Sequence, residues 1–208
     1  MNGMYGKIKR GVDIVLSAVG LVILSPLLIF LCVWIKMDSK GPILFKQKRV
    51  GLHKTHFNIL KFRTMRTNTP KDMPTHMLAN PEQYITKSGK FLRKTSLDEL
   101  PQIINILKGD MSIIGPRPAL WNQYDLIEER DKYGANDVMP GLTGWAQVNG
   151  RDELEIPVKA ALDGYYVEHM GLQFDCACFF KTITSVLKHD VVVEGGTGEM
   201  KKNENTSR

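Results

Sequence analysis

The longest apolar run of the chain lies close to its N-terminus. Residues 14–35 are 22 consecutive positions without a charged side chain. As a straight helix they would span about 33 Å, close to the thickness of a hydrocarbon core. A cleaved signal peptide is an alternative, and the basic residues before the run fit it. The run is, however, too long for a signal peptide and lacks a convincing small-x-small cleavage site, which favours a membrane helix.

Ser25 and Pro26 interrupt this run near its middle. Pro26 has no amide hydrogen to donate, and its ring presses against the carbonyl of Val22, so the pattern predicts a kink there. In lipid the carbonyl that loses its partner needs another donor, and the Ser25 hydroxyl is well placed to supply one.

Basic residues flank the run on both sides, and such flanks tend to stay in the cytoplasm. A helix that enters the membrane, bends at Ser25-Pro26 and returns keeps both flanks there. A single straight span with its N-terminus outside is the alternative, and both courses leave the chain after Lys36 in the cytosol. The flanking residues are Lys7, Lys9 and Arg10 before the run, and Lys36, Lys40, Lys46 and Lys48 after it.

Two segments of alternating polarity after the run predict a β-hairpin. Residues 43–50 and 56–63 flank a turn at residues 51–54. The period of two places Lys61 and Arg63 on one face of the second strand. Two cations with that spacing could grip a diphosphate, and two solvated charges are the alternative.

Beyond the hairpin, helical patterns alternate with polar segments. Residues 67–84 are polar and contain three prolines, which predicts a long loop. The tail from residue 195 to residue 208 is polar and glycine-rich, and we predict that it is flexible. A short basic amphipathic segment is predicted over residues 85–94, and helices over residues 120–133, 156–170 and 176–189.

The charge distribution points to an anionic partner. The chain has 208 residues, enough for one ordinary domain, with 28 lysines and arginines against 22 aspartates and glutamates. Between residues 36 and 71, ten basic residues face only Asp38. Such a stretch suits lipid headgroups, nucleic acid or a phosphorylated small molecule. Cys32, Cys176 and Cys178 form neither a disulfide framework nor a zinc spacing, which favours a reducing compartment.

The candidate chemistry centres on two adjacent carboxylates, Asp98 and Glu99, in the segment of residues 95–102. The structural alternative is a capping box at the start of an apolar helix. In that arrangement Ser96 accepts an amide hydrogen bond, and Glu99 reaches back to the amide of Ser96.

Two further segments carry candidate cations. Arg117 stands between Pro116 and Pro118, which fix the backbone around one guanidinium; a rigid turn that happens to contain an arginine is the alternative. A glycine-rich segment, residues 139–151, ends in Arg151. The sequence contains no Walker loop and no dinucleotide-binding fingerprint.

Seven motifs in this order resemble those of the bacterial sugar transferase family, the monotopic phosphoglycosyl transferases that start glycan assembly on a polyprenyl phosphate carrier. The resemblance extends over nearly the whole chain, from about residue 4 to about residue 195. The motifs are Lys9-Arg10 with Asp13, Ser25-Pro26, Lys61-Phe62-Arg63-Thr64-Met65, Ser96-Leu97-Asp98-Glu99-Leu100-Pro101-Gln102, Lys108-Gly109-Asp110-Met111-Ser112, Gly115-Pro116-Arg117-Pro118, and Pro140-Gly141-Leu142-Thr143-Gly144 with Gln147-Val148-Asn149-Gly150-Arg151.

The pattern and the resemblance together predict an α+β fold that is mainly helical, with a small β-hairpin and an N-terminal re-entrant membrane helix kinked at Ser25-Pro26. Residues 1–36 would form the membrane helix and its basic flank. Residues 37–194 would form a cytosolic catalytic domain, and residues 195–208 the flexible tail. Longer relatives carry extra membrane helices ahead of this core, so we expect the chain to correspond to the minimal catalytic form.

The resemblance also implies a two-step reaction. Asp98 would attack the β-phosphorus of a UDP-sugar, release UMP and hold the phosphosugar, which undecaprenyl (polyprenyl) phosphate would then accept. Glu99 would hold Mg²⁺, with Asp163 as a weaker metal candidate in the family's second acidic position. The candidate phosphate-binding cations are Lys61, Arg63, Arg93, Arg117 and Arg151.

The implied location is the inner (cytoplasmic) membrane of a bacterium, with the catalytic domain on the cytoplasmic face and membrane lipids as partners. The implied role is the first membrane step of glycoconjugate or exopolysaccharide assembly. The sequence does not specify the sugar, and it leaves the oligomeric state open, a homo-oligomer included.

Two other functions remain open on sequence alone. A membrane-anchored basic module that binds anionic lipid or nucleic acid would explain the basic stretch and the apolar run, but not an acidic pair beside fixed arginines. No stacked aromatic pattern supports nucleic acid, which we do not expect as a partner. An ordinary glycosyltransferase would release UDP, but the sequence has no Asp-x-Asp metal motif for it.

Overall fold

The computed structural model describes residues 3–69, 81–150 and 154–187. Its helices are α1 (Met4–Asp38), α2 (Lys87–Thr95), α3 (Gln102–Lys108), α4 (Tyr124–Asp131), α5 (Trp145–Val148), α6 (Ile156–His169) and α7 (Leu172–Leu187). Its strands are β1 (Leu44–Val50), β2 (His56–Phe62), β3 (Ser112–Ile114) and β4 (Gly141–Thr143). The predicted α+β class, mainly helical with a small β-hairpin, is confirmed. The predicted flexible tail lies outside the described residues.

The membrane-length segment forms a single helix, α1, of 35 residues that continues through Pro26. As predicted, the Ser25 hydroxyl donates to the carbonyl of Val22, at 2.7 Å. Within the described residues α1 is the one helix long and apolar enough to cross a membrane. Only 11% of its most apolar 18-residue window is buried, which distinguishes it from a core helix. The predicted re-entrant bend is not confirmed by this continuous helix and stays a prediction.

Both ends of α1 pack on the same domain. Near the N-terminal end, Lys9 Nζ lies 2.5 Å from a carboxylate oxygen of Asp175 in α7. Asp13 accepts a hydrogen bond from the amide of Ile113 in β3, at 3.0 Å. No side chain between residues 18 and 26 is buried, so the middle of α1 packs less closely on the domain than its ends do. Near the C-terminal end, α1 contributes to a buried cluster of Leu31, Ile35, Phe62 and Leu92.

The strands β1 and β2 form the antiparallel hairpin predicted from the alternating pattern. Gly51 and a 3₁₀ turn at Leu52–Lys54 connect them, where the turn was predicted. The register places Phe45 of β1 opposite Lys61 of β2. Because β2 ends at Phe62, Arg63 lies beyond the strand.

The structure also contains a parallel pair of three-residue strands, β3 and β4, which the sequence pattern does not predict. The pair brings Gly115 against the glycines of the β4 segment. A Cβ atom on Gly141 would lie 2.1 Å from the amide nitrogen of Gly115, and one on Gly144 would lie 2.1 Å from its carbonyl oxygen. Only residues without a side chain allow this approach, which fixes the turn that carries Arg117.

The remaining helices agree with the predicted ones, with shifted ends. The segments predicted over residues 85–94 and 156–170 form α2 and α6. The helix predicted over residues 120–133 shortens to α4, because Leu120 pairs with Arg49 in a β-bridge instead. The last predicted helix begins earlier, as α7, and its residues 188–189 lie outside the described residues. In the predicted loop, residues 81–84 form a 3₁₀ turn, and residues 70–80 are not described.

Candidate active site around Asp98 and Glu99

Asp98 and Glu99 lie in a single 3₁₀ turn, Leu97–Glu99, between α2 and α3. Ser96 precedes this turn in the left-handed conformation, with φ of 56°, and ends α2. The Ser96 side chain makes no capping hydrogen bond, and α3 begins only at Gln102. The capping-box interpretation is therefore wrong: the left-handed Ser96 separates the turn from α2, and the Glu99 carboxylate is drawn to two cations instead of the Ser96 amide.

Leucines on either side hold the acidic pair against the core. Leu97 and Leu100 pack on the cluster that joins the C-terminal end of α1 to β2 and α2. Burial of this apolar surface fixes the turn. The acidic residues between the two leucines meet cations from two other segments.

Glu99 is shared by two cations. Lys61 Nζ lies 2.8 Å from Oε1 of Glu99, and Nη2 of Arg117 lies 2.7 Å from the same oxygen. The second guanidinium contact, from Nη1 to Oε2, is longer, at 3.5 Å. The Lys61 ammonium also lies 3.9 Å from Oδ2 of Asp98, so it stands beside both carboxylates.

These four residues, Lys61, Asp98, Glu99 and Arg117, form what we call the carboxylate–cation cluster. Asp98 is only 4% exposed, and the side chain of Arg117, the most open of the four, is 26% exposed. Charges in such a partly desolvated place interact more strongly than they would in water. The cluster therefore offers N–H donors on Lys61 and Arg117 to the oxygens of a phosphorylated ligand, next to the carboxylate of Asp98.

The backbone around Arg117 is fixed by the second strand pair. The amide of Gly141 donates to the carbonyl of Pro116, at 2.9 Å, and the amide of Gly115 donates to Thr143, at 2.8 Å. The prolines on both sides of Arg117 restrict its backbone further. The arginine is thus delivered to Glu99 from a turn with little freedom.

Residues 4–189 match the sequence model of a family described as bacterial sugar transferase. The chain belongs to the bacterial sugar transferase family.

Curated members of this family are similar to most of the chain. UDP-N-acetylgalactosamine-undecaprenyl-phosphate N-acetylgalactosaminephosphotransferase of Aeromonas hydrophila is 38% identical over 192 residues, which cover 88% of this chain and 44% of that protein. UDP-glucose:undecaprenyl-phosphate glucose-1-phosphate transferase of Escherichia coli is 38% identical over 191 residues, 88% of this chain and 41% of that protein. The uncharacterized sugar transferase EpsL of Bacillus subtilis is 37% identical over 180 residues, 86% of this chain and 87% of EpsL. The chain thus spans less than half the length of the first two relatives and most of the third.

Two of the arginines predicted to bind phosphate, Arg63 and Arg93, donate hydrogen bonds to other residues of the protein. Arg63 is 4% exposed, and its guanidinium donates to the carbonyls of Ser39 and Lys40, at 2.7 and 2.9 Å, in the segment after α1. Arg93 Nε donates to the hydroxyl of Thr64, at 3.0 Å. Their roles in phosphate binding stay predictions, as do those of Lys61 and Arg117, which contact Glu99 next to Asp98.

The structure places Asp163 in a different setting from the cluster. It is 1% exposed in α6 and accepts hydrogen bonds from Nε and Nη2 of Arg130 in α4, at 2.8 and 2.6 Å. Burial raises the pKa of the Asp163 carboxyl, and the Arg130 charge opposes this. This buried ion pair gives the predicted metal role of Asp163 no support, and the role stays a prediction. Arg151 lies outside the described residues.

The Glu99 carboxyl is held in its ionised form. Burial alone would raise its pKa, but the charges of Arg117 and Lys61 and their hydrogen bonds hold the pKa well below its usual value. Glu99 therefore stays charged throughout the neutral range and does not act as a proton donor there.

The stability that Glu99 contributes is expected to depend on pH. Because its folded-state pKa lies below the usual value of 4.5, the contribution is complete above that value and is lost as the pH falls toward the folded-state pKa. The difference in unfolding free energy between the wild type and Glu99→Gln, from denaturant titrations in detergent, should be constant between about pH 6 and pH 8 and shrink below about pH 4.5. A difference that stays constant down to about pH 3 would contradict the ion pairs.

Proposed function

We propose that the chain transfers a sugar-1-phosphate from a UDP-sugar to undecaprenyl phosphate through a covalent intermediate on Asp98, with release of UMP. The observation that carries the proposal is the carboxylate–cation cluster, in which the buried Asp98 lies 3.9 Å from Lys61 and the adjacent Glu99 contacts both Lys61 and Arg117. The names of the Aeromonas and Escherichia coli relatives specify a UDP-linked donor and undecaprenyl phosphate, and they support this substrate class. Because the chain spans less than half of those proteins, their whole activity is extended to it only as a proposal.

In the first step, a carboxylate oxygen of Asp98 attacks the β-phosphorus of the UDP-sugar. The bond from that phosphorus to the bridging oxygen breaks, and UMP leaves with the oxygen and its electron pair. In the second step, a phosphate oxygen of undecaprenyl phosphate attacks the same phosphorus. The bond to Asp98 breaks, the carboxylate is regenerated, and a polyprenyl diphosphate sugar forms. A carboxylate is a competent covalent nucleophile for this type of transfer.

Lys61 and Arg117 supply the positive charge that phosphoryl transfer requires. Catalysis of such reactions depends mainly on positioning and on neutralising the phosphate oxygens. Both cations are already fixed by Glu99, at 2.8 and 2.7 Å, so little reorganisation is needed when a diphosphate arrives. Glu99 thus acts as the holder of the two cations.

The donor set fits Mg²⁺ in a limited way. The part of the chain that the structure describes contains no group of three or more histidine, cysteine, aspartate or glutamate side chains that could hold a metal. Mg²⁺ is commonly bound by one or two carboxylates together with substrate phosphates. Glu99, whose Oε2 receives the long contact from Arg117, and the adjacent Asp98 are the residues that would hold the ion. When bound, Mg²⁺ would neutralise diphosphate oxygens.

A re-entrant course of α1 in the inner membrane, with the catalytic domain on the cytoplasmic face, is part of this proposal. A helix that crossed the bilayer between residues 14 and 35 would carry Lys9 to the far side. Lys9 and Asp13, however, contact α7 and β3, and Leu31 and Ile35 contact the same domain. These contacts support a course in which both ends of α1 lie on one side of the membrane.

Labelling of two exposed methionine positions tests this course. Met4 and Met37, at opposite ends of α1, are 81% and 80% exposed. We expect cysteines introduced separately at these positions, in a chain whose own cysteines are replaced by alanine, to react with a membrane-impermeant maleimide only after the inner membrane is opened. Reaction of the Met4→Cys variant in intact spheroplasts, with the Met37→Cys variant protected, would establish a straight span.

The nucleotide product tests the reaction itself. Purified chain is incubated with Mg²⁺, undecaprenyl phosphate and a panel of UDP-sugars that includes glucose, galactose and their N-acetylated forms. We expect UMP to be released with one or a few of them and to be lost on addition of EDTA. Release of UDP would identify an ordinary glycosyl transfer and remove Asp98 from its assigned role. Binding to anionic vesicles without either product would favour a membrane-anchored basic module.

A further inference from the structure

Hydrogen bonds connect α1 to the two helices on either side of the acidic pair. The helix α2 ends at Thr95, shortly before Asp98, and α3 begins at Gln102, shortly after Glu99. The C-terminal end of α1 binds the start of α2, and the N-terminal end of α1 binds the end of α3. The acidic pair therefore lies between two short helices, and the end of each helix that is remote from the pair is hydrogen-bonded to the membrane helix.

The attachment to α2 is made by Asp38, the last residue of α1. Oδ2 of Asp38 accepts hydrogen bonds from the amide and the hydroxyl of Ser88, at 2.9 and 2.8 Å. Ser88 lies in the first turn of α2 and is completely buried. A carboxylate at this position satisfies a helix amide that has no partner within the helix and interacts favourably with the helix dipole. The membrane helix α1 thus supplies an acceptor for the first turn of α2, in addition to the N-cap residue Thr86.

The attachment to α3 is made by Arg10, near the N-terminal end of α1. Its guanidinium donates to the carbonyls of Ile106 and Leu107, at 2.5 and 2.9 Å. These carbonyls belong to the last turn of α3, where a cation is favourable. The two ends of α1 therefore use opposite charges on opposite helix ends, each matched to the local dipole.

We propose that Asp38 and Arg10 are positioning residues for the reaction, which transmit the placement of the membrane helix to Asp98 and Glu99 through α2 and α3. This inference rests on the proposed function. The helices α2 and α3 have nine and seven residues, and such short rigid elements carry a displacement at one end to the other. A shift of about 1 Å in a reacting group can lower a rate about 100-fold, so loss of either attachment should slow the attack by Asp98.

A purely structural role for Asp38 would predict a different result, and Asp125 provides the matched comparison. Asp125 lies in the first turn of α4, where its Oδ1 accepts from the amide of Leu126, at 2.8 Å. Like Asp38, it is a carboxylate at the start of a helix, but α4 packs on α6. Replacement by alanine weakens a helix start in both variants, but only removal of Asp38 detaches α2 from the membrane helix.

The experiment uses the full chain in lipid nanodiscs, with the UDP-sugar that supports turnover and without acceptor. The burst of UMP then reports only the attack by Asp98. We expect Asp38→Ala to slow the maximal burst rate about 10- to 100-fold, while the UDP-sugar concentration that gives half of that rate stays within about twofold of the wild type. Asp38→Asn, which keeps an oxygen acceptor for Ser88, should stay within about threefold of the wild-type burst rate, and so should Asp125→Ala.

Several results would overturn the inference. A wild-type burst rate in folded Asp38→Ala, an equal loss in Asp125→Ala, or a change only in the UDP-sugar concentration that gives half the maximal burst rate would each assign Asp38 a structural role only. If Asp38→Ala does not fold, Arg10→Gln takes its place, with the same expected loss and with a wild-type rate as the contradicting result. Absence of a burst from the wild-type chain would overturn the proposed function as well, whereas a wild-type burst with unaffected variants overturns this inference alone.

Discussion

Asp98→Asn is expected to abolish both turnover and the covalent phosphosugar adduct. The amide has nearly the shape of the carboxylate but cannot attack phosphorus as an anion. Loss of a covalent nucleophile lowers kcat by about 10⁴- to 10⁶-fold in comparable enzymes, and we expect a loss of that order here. Intact-protein mass spectrometry after mixing with UDP-sugar alone should show the sugar-phosphate mass on the wild type and none on the variant.

Asp137→Asn provides the control for this substitution. Asp137 is an exposed carboxylate that contacts His53 and does not belong to the carboxylate–cation cluster. The same chemical change at Asp137 should therefore leave both the adduct and the rate unaltered. Adduct formation on Asp98→Asn, or wild-type turnover by that variant, would assign the covalent step to another residue. Peptide mapping of the adduct would then identify that residue.

Arg117→Ala is expected to lower kcat/KM by about 10²- to 10³-fold, the loss typical for removal of one fixed charge-stabilising donor from an active site. The variant loses a phosphate partner, and it also leaves Glu99 to Lys61 alone, so Lys61 is held more tightly by the carboxylate. Arg117→Lys should recover part of the loss, because lysine keeps the charge but not the planar fork that contacts both Glu99 oxygens. Steady-state kinetics with a short-chain polyprenyl phosphate measures both variants.

Arg66→Ala is the matched control for Arg117→Ala. Arg66 is exposed, and its recorded contact to the carbonyl of Tyr84 is made by its backbone amide, which the substitution keeps. The net charge of the protein changes equally in both variants, so a general effect of charge on membrane or substrate encounter would appear in both. Equal losses in the two variants would contradict a specific role of Arg117.

The sequence predicts those parts of the fold whose causes are local. Residues 43–63 alternate with a period of two around a turn, and they form the hairpin that delivers Lys61. The Ser25 hydroxyl contacts Val22 as predicted, because that contact depends only on the missing amide of Pro26. The pairing of β3 with β4 could not be predicted, since each strand has three residues and no turn connects them. The pairing depends on Gly115, Gly141 and Gly144, because a side chain on any of them would clash with the facing segment.

The site shows the same division between local and distant causes. A proline-fixed Arg117 and an adjacent acidic pair are visible in the sequence, but their meeting depends on β3, β4 and the turn after α2. Lys61 and Arg63 look equivalent by periodicity. The guanidinium of Arg63, however, donates its hydrogen bonds to the backbone carbonyls of the residues that follow α1. Asp163 cannot be recognised as the partner of Arg130 without the packing of α4 on α6. Local pattern therefore identifies candidate groups, and long-range packing decides which of them meet.

The contact between Lys9 and Asp175 has a consequence for how the chain is made. The two residues are 166 positions apart, so the ribosome has long finished α1 when the partner of Lys9 is synthesised. At about 5–20 residues per second, the delay is about 8–30 s. During that interval the N-terminal end of α1 can already meet α3 and β3 through Arg10 and Asp13, but it lacks the contact with α7. The Lys9–Asp175 contact is accordingly one of the last to form, and until then the buried ammonium of Lys9 has no partner in α7.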